Sequence, residues 1–168
     1  MSYLPSNPEL SSIEKLLAKY PRRGVLLFRL LEYNEGDGSP LNKELRTLII
    51  EYISSLNDRD SSILAAEKLT PNEQRQSQSN VMKKRVKTNW KLTPVLCFLK
   101  KLTLMPEQIN EADVTPIFAA GWSERDFLDL VCLCSVVNCI NRLAVGVGLD
   151  QKNANGQQIF GKACAKLT

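Results

Sequence analysis

Histidine is absent from this sequence of 168 residues, and its absence excludes several classes of function. Imidazole is the commonest metal-ligating side chain and the one that exchanges protons near neutral pH. Ser-His and Cys-His nucleophilic pairs are excluded for the same reason. The sequence therefore predicts no histidine-based catalytic centre, no metal site and no cofactor.

The cysteines also lack the spacing that two further kinds of site require. The five cysteines include no Cys-x-x-Cys pair, which is the spacing of zinc sites and of local dithiols. Cys132 and Cys134 point about 200° apart on a helix, and Cys132 and Cys139 lie about 10 Å apart along its axis, so neither pair can form a disulfide. We expect these three residues to act as small, buried, apolar side chains.

The sequence does not open with the charged and then apolar segments of a signal peptide. We expect a cytoplasmic protein with reduced thiols and no membrane partner. The most apolar stretch, residues 127–149, contains Asp129 and Arg142 as well as two asparagines, so it predicts a buried helix and not a membrane span. The length, with 43% hydrophobic and 24% charged residues, predicts one globular domain over residues 1–168.

Apolar residues recur at helical spacing and no strand-like alternation persists, so the sequence predicts an all-α fold. The clearest pattern runs from Lys43 to Leu56, after which Asn57-Asp58 is expected to interrupt the helix. Residues 1–12 are expected to form an extended lead-in and residues 150–168 a loose tail. The other predicted helices cover residues 13–20, 22–33, 60–69, 94–104 behind a Thr93 cap, 110–121 with a kink or restart at Pro116, and 124 to Gly146 or Gly148 behind a Ser123–Asp126 capping box.

Eight Lys and Arg residues without any acidic residue lie between Arg75 and Lys101. With Trp90 as a stacking partner, this segment is a candidate for nucleic-acid binding. No recognition motif accompanies the charge. A solvated face, or a patch that meets an acidic neighbour in an oligomer, is therefore the favoured interpretation.

Two amides and a guanidinium, those of Asn138, Asn141 and Arg142, fall inside the apolar helix. Burial of such groups is costly unless each finds a partner. They are candidates for binding a ligand or for fixing an oligomer contact. They are equally candidates for capping neighbouring helices, which their spacing alone favours.

Three blocks of sequence together resemble the alkylhydroperoxidase-D-like, carboxymuconolactone-decarboxylase-like superfamily, in its peroxidase-related branch. They are Gly38–Asn57, which contains Ser-Pro-Leu-Asn-Lys-Glu-Leu; Phe98–Pro106 followed by Ile109–Val114; and Ala119–Glu124 continuing to Val137–Leu143 and Gly146–Gly148. The resemblance covers nearly the whole chain. It implies an all-helical fold that assembles with copies of itself as trimers or trimer-based hexamers.

Active members of that superfamily have a Cys-x-x-Cys-x-x-x-His motif, with a Glu twelve residues before the first Cys. There, cysteines at a helix N-terminus form a thiolate readily, and the Glu and His relay protons while the dithiol reduces a peroxide. At the matching positions this sequence has Thr47, Arg59, Ser62 and Ala66. Arg59 is expected to place a cation at a helix N-terminus, which reverses the electrostatics of the motif.

The resemblance therefore implies a catalytically degenerate member that acts as a ligand-binding or protein-interaction module around these four positions. Two carboxylates, Glu44 and Glu51, lie one turn either side of Thr47 and are candidates to reach the same place. An alternative is an antioxidant enzyme that uses a relocated thiol. The candidates for that thiol are Cys97, Cys132, Cys134 and Cys139.

Overall fold

The computed structural model describes residues 2–35, 39–63 and 90–149, and within these ranges the chain is all-α, with no β-strand. A short 3₁₀ turn, Pro106–Gln108, connects the fourth and fifth helices. The helices are α1 (Ile13–Lys19), α2 (Pro21–Glu35), α3 (Lys43–Ile63), α4 (Leu92–Leu104), α5 (Glu111–Ala119) and α6 (Glu124–Gly146).

The main hydrophobic core lies where α3, α4 and α6 pack against one another. The apolar stripe that the sequence predicts on α3 is buried there, since Ile49 and Ile53 are inaccessible to solvent. An apolar face of α6 packs against this stripe, and apolar residues of α1 cover one side of the core. The largest side chains that this packing removes from water are Ile49, Ile53, Val95, Leu99, Ile117, Leu130, Leu133, Val137 and Ile140.

The N-termini of α5 and α6 are each closed by a capping box. Asn110 and Ser123 accept hydrogen bonds from backbone N–H groups of the first turn, while Asp113 and Asp126 accept from the backbone of the cap residue. These reciprocal bonds satisfy donors that a helix N-terminus leaves unpaired. Both boxes lie where the sequence predicts the helices to begin.

Glycine ends both of these helices through the same geometry. Gly121 and Gly148 have φ values of +88° and +71°, a conformation that other residues rarely adopt. The N–H of the residue after each glycine bonds back to the fifth residue before it, Trp122 to Ile117 and Leu149 to Ala144. This is the Schellman arrangement, and it explains why the chain leaves the helix at these points.

The predicted break at Asn57-Asp58 is wrong, because α3 continues to Ile63. The side-chain amide of Asn57 donates to the Ile53 carbonyl at 3.0 Å and to the side chain of Asn138 on α6 at 2.9 Å. Those bonds use the amide that would otherwise compete with the helical backbone. Beyond Ile63, the predicted helix over residues 60–69 lies outside the described residues.

Two other predicted boundaries differ from the structure. Thr93 is not the N-cap of α4, because the helix begins at Leu92 after Lys91, whose carbonyl accepts a hydrogen bond from the Trp122 indole. The lead-in is turned and not simply extended, since the Ser2 N–H bonds to the Pro8 carbonyl at 3.1 Å. A 2.9 Å bond from Tyr3 N–H to the Val147 carbonyl fastens this segment to the end of α6. The predicted tail, residues 150–168, is outside the described residues.

The short helix α1 and the longer α2 form a hairpin with a close approach at Gly24. A β-carbon at this position would lie 2.4 Å from the backbone oxygen of Leu17. Only glycine allows that spacing, so α2 crosses α1 at the position of Gly24. The opposite side of α2 remains in solvent, as the exposure of Leu26 and Arg29 shows.

Among the described residues, α6 is the one helix long and apolar enough to cross a membrane. Buried residues make up 44% of its most apolar stretch, and the core helices of soluble proteins pass the same test of length and composition. Its contact with α3 is the most extensive between any two described helices. The length and apolar composition of α6 are therefore only a weak indication of a membrane span.

Candidate functional site

The positions that match the superfamily motif are spread along α3 in this structure. Thr47 is half-buried in the second turn, whereas Arg59 and Ser62 are on the last two turns of the same continuous helix. Twelve residues at 1.5 Å each separate Thr47 from Arg59 by about 18 Å. The helix therefore holds apart the positions that correspond to the proton relay and the first cysteine, and Ala66 is outside the described residues.

The predicted position of Arg59 at a helix N-terminus is wrong for the same reason. Since α3 begins at Lys43 and ends at Ile63, Arg59 is one turn before the C-terminal end. A cation is favoured at that end of a helix, where the backbone carbonyls concentrate negative charge. The two carboxylates proposed beside Thr47 differ in environment, since Glu44 is exposed and Glu51 is half-buried.

A buried polar cluster connects α3, α4 and α6, and it is centred on Asn138. The side-chain oxygen of Asn138 accepts from Asn57 at 2.9 Å. Its side-chain nitrogen donates to the Thr103 hydroxyl at 3.2 Å and to the Cys134 sulfur at 3.3 Å. The Thr103 hydroxyl oxygen and the Cys134 sulfur are also within hydrogen-bond distance, at 3.5 Å. The cluster thus joins one polar group from α3, one from α4 and two from α6 in mutual hydrogen bonds.

Arg142 closes the outer side of this cluster. Its guanidinium donates to the backbone carbonyl of Thr103 at 3.5 Å, in the last turn of α4. A carbonyl in that position lacks a partner within its own helix, so the arginine caps α4. Of the three residues predicted as ligand or interface candidates, Asn138 and Arg142 therefore contact neighbouring helices, and Asn141 is half-buried.

The thiol of Cys134 is fully buried within the cluster, and burial raises its pKa above the usual value of 9.0. Hydrogen bonds from Thr103 and Asn138, together with the positive charge of Arg142, act in the opposite direction but do not outweigh burial. A thiol with a raised pKa is protonated at neutral pH, and the protonated form is a poor nucleophile. Its geometry is that of a hydrogen-bonded core residue.

The prediction that Cys132 and Cys139 are buried is wrong. Both side chains are exposed, because the α6 face that they share with Leu128 points away from α3 and α4. Apolar neighbours in the sequence suggest burial, but they do not indicate which side of the helix packs against another helix. Cys97 on α4 is exposed as well.

A groove of about 600 Å³ lies between α4 and α5. Its floor includes Phe98, which packs against Phe127 with the ring centroids 5.2 Å apart. Trp90 stands at one end of the groove and is 68% exposed. The walls are predominantly apolar, and the residues that line the groove are Trp90, Thr93, Pro94, Cys97, Phe98, Lys101, Ala112, Asp113, Pro116, Ala119 and Ala120.

One ion pair supplies the charged groups of the groove. The ammonium of Lys101 lies 2.8 and 2.7 Å from the two carboxylate oxygens of Asp113. The Lys101 hydrogen bond, and next the backbone N–H of Asn110, lower the pKa of Asp113 below its ordinary 3.8. The carboxylate therefore stays charged at all but strongly acidic pH, and the pair presents one cation and one anion beside an apolar floor.

Sequence reasoning missed this groove because its two charged residues were explained separately. Lys101 belongs to the predicted basic run, and Asp113 to the start of the predicted helix over residues 110–121. They lie twelve residues apart on different helices, and no periodicity connects them across the turn at Pro106–Gln108. The arrangement of α4 beside α5 alone brings them together.

The basic segment is described only from residue 90 onward. There, Lys91 and Lys100 are exposed, and the Lys91 ammonium is 5.9 Å from the centre of the Trp90 ring. Lys101 differs, because its charge is compensated by Asp113. The residues between 75 and 89 are outside the described residues, and nucleic-acid binding by this segment stays a prediction.

A scan against protein-family models and a search of curated proteins each find no match for this sequence. The described residues define an all-α protein with a groove between two helices. The resemblance to the alkylhydroperoxidase-D-like superfamily continues to rest on the three blocks of sequence given above.

Proposed function

We propose that this protein is a binding module whose ligand is a small amphipathic molecule held in the groove between α4 and α5. The observation that carries the proposal is the combination of apolar walls with one ion pair, Lys101–Asp113, at the same groove. Small-molecule sites are typically concave and mostly apolar, with few polar groups to fix orientation. The groove volume of about 600 Å³ is within the usual range for such sites.

The chemistry of the lining indicates the kind of ligand. Phe98, Pro94 and Pro116 offer flat or rigid apolar surface to an aromatic or alicyclic body. Lys101 can donate to an acidic or carbonyl group of the ligand without leaving Asp113, since an ammonium has three donors. An aromatic or alicyclic acid of one or two rings combines both requirements.

A binding role without thiol peroxidase activity has separate support. The positions that match the paired cysteines, the histidine and the glutamate are Arg59, Ser62, Ala66 and Thr47. Cys134 is buried with a raised pKa, which disfavours it as a replacement nucleophile. We therefore propose a degenerate member of the superfamily, located in the cytoplasm. On the same resemblance we propose a homotrimer or hexamer, with a mass in solution three or six times the 18.9 kDa of one chain.

The groove is tested with the dye 1-anilinonaphthalene-8-sulfonate, which has an aromatic body and a single acidic group. Ala119→Phe fills the groove and should weaken dye binding at least about tenfold, as expected when an apolar contact worth about 1.4 kcal/mol or more is lost. Ala18→Phe makes the same change at an exposed position on α1 and is the matched control. Equal dye affinity in both variants would contradict the proposed site.

One observation favours a second candidate function, thiol-dependent reduction of organic hydroperoxides. Cys97 is exposed in the groove, one helical turn from the Lys101 cation. In that reaction the thiolate attacks the peroxide, an alcohol leaves, and an added dithiol reduces the sulfenic acid with release of water. The binding proposal expects no turnover above a protein-free blank when dithiol and hydroperoxide are supplied. Turnover that Cys97→Ser abolishes would instead establish the enzyme.

A further inference from the structure

The outer surface of α2 is unusual in combining exposed apolar and basic side chains. Leu26 is 67% exposed, and Val25 and Leu30 are 39% and 46% exposed. Three exposed arginines, Arg22, Arg23 and Arg29, lie among them. We name these six residues the α2 face.

The α2 face is a continuous surface of one helix. At 100° per residue, its six members cover an arc of about 160°, with basic and apolar positions interleaved. The other side of α2 carries Gly24, which touches α1, and the half-buried Leu27. Since the hairpin contact directs that side inward, the α2 face is presented outward as a convex ridge.

The segment that contains this face is basic. Residues 13–30 contain five Lys and Arg residues and one acidic residue, which is a net charge of +4. Lys15 and Lys19 of α1 are exposed and add to the charge of the arginines. Tyr20, at the corner between the two helices, is 42% exposed.

We propose that the α2 face binds the surface of a membrane that contains anionic lipids. Its apolar side chains can enter the boundary between headgroups and acyl chains, while arginines beside them extend their charged ends to lipid phosphates. The tyrosine at the corner suits the headgroup region, where aromatic residues with one polar end are favoured. This contact is along a surface, so it is distinct from a membrane span by α6.

A lipid surface fits the α2 face better than an acidic protein does. Apolar and basic positions are interleaved around the ridge, whereas recognition of a protein partner concentrates its apolar anchors in a packed centre with charge at the rim. A fluid interface adapts to interleaved side chains without such segregation. The inference does not depend on the groove between α4 and α5.

The test is co-sedimentation of the full chain with vesicles, either of phosphatidylcholine alone or of phosphatidylcholine mixed with phosphatidylserine. Binding is expected to the mixed vesicles only, and added salt should weaken it. Arg22→Ala combined with Arg29→Ala should reduce the binding constant about thirtyfold, since each basic residue near an anionic surface contributes about fivefold. Lys43→Ala combined with Lys100→Ala removes the same charge from exposed positions on α3 and α4, and should have a much smaller effect.

A second pair of variants tests the apolar part of the face. Leu26→Ser should weaken vesicle binding about tenfold, whereas Leu128→Ser on α6, which is 63% exposed, should not. Both residues are exposed, so folding is preserved, and circular dichroism verifies it. Absence of binding to the mixed vesicles, or equal losses in the α2 and control variants, overturns the proposal. If the unmodified protein does not bind vesicles and Leu26→Ser abolishes its self-association, the α2 face is an interface between two copies instead.

Discussion

At the scale of single residues, the three cysteines of α6 have different surroundings. Cys132, Cys134 and Cys139 have the same thiol and lie on one helix, yet only Cys134 is buried. Asp113 lies in the first turn of a predicted helix and completes the capping box of α5, but it also pairs with Lys101. What surrounds a residue is set by its neighbours on other helices.

Cys134 should resist alkylation in the native protein. Burial removes the sulfur from solvent and raises its pKa, so both access and thiolate content are low. We expect iodoacetamide to modify it on the order of a hundredfold more slowly than the exposed Cys132 and Cys139, because reaction requires local opening. Mass spectrometry of peptides from partly alkylated protein measures each rate. In denaturant the three rates should converge, and equal rates in the folded protein would contradict the assignment.

The Lys101–Asp113 pair should make stability depend on pH in the acidic range. The folded-state pKa of Asp113 is below the ordinary 3.8. The carboxylate therefore contributes fully to the free energy of unfolding above pH 3.8, and this contribution is lost as the pH falls through the lowered folded-state pKa. Asp113→Asn should therefore lower the urea midpoint at neutral pH, and the difference from the unmodified protein should vanish in strong acid.

A double-mutant cycle with Lys101→Met controls for the loss of capping geometry. Coupling between the two substitutions is expected at neutral pH and not in strong acid. Coupling that is the same at both pH values would show that the carboxylate charge is not involved.

At the scale of elements, residues within a turn or two determine where a helix begins and ends, whereas contacts with distant residues determine whether it continues past a weak point. The capping boxes and glycine ends of α5 and α6 lie where the sequence predicts these helices to begin and end, because each depends on residues within one or two turns. The predicted break at Asn57 is wrong, because the side-chain amide of Asn57 donates a hydrogen bond to Asn138, 81 positions away. Pro116 does not restart the helix, because α5 continues through it to Ala119.

Gly24→Ala should destabilise the α1–α2 hairpin. The added methyl group would lie 2.4 Å from the Leu17 carbonyl oxygen, so the two helices must separate. We expect a loss of about 1–3 kcal/mol in the free energy of unfolding, as for overpacked cores, measured by urea denaturation. Gly146→Ala is the matched control, because a β-carbon there meets nothing within 4 Å. It should leave stability unchanged or raise it by up to about 1 kcal/mol. Equal effects of the two substitutions would refute the close approach.

At the scale of the whole molecule, the described helices are joined by one polar cluster as well as by the apolar core. Asn57, Thr103 and Asn138 belong to three different helices, and their hydrogen bonds require a single relative placement of α3, α4 and α6. Apolar contacts are non-directional, whereas hydrogen bonds fix distance and angle. The cluster therefore specifies how the core packs.

Asn138→Leu should destabilise the protein although leucine has a similar size and suits an apolar core. The Asn57 amide and the Thr103 hydroxyl would each lose a buried partner, and we expect a cost of about 1–3 kcal/mol in the free energy of unfolding. Ser135→Ala, at an exposed position one turn away, should change it by less than about 0.5 kcal/mol. Urea denaturation measures both, and an Asn138→Leu protein as stable as the Ser135→Ala protein would contradict the role of the cluster.

The sequence by itself determined the all-α class, the apolar stripe of α3 and the ends of α5 and α6, because periodicity and capping act over a few residues. Tertiary structure decided the continuation of α3 past Asn57, the exposure of Cys132 and Cys139, and the pairing of Lys101 with Asp113 beside a groove. Each of these depends on which helix lies next to which. That arrangement is a property of the packed chain, since no local pattern encodes a contact between residues on different helices.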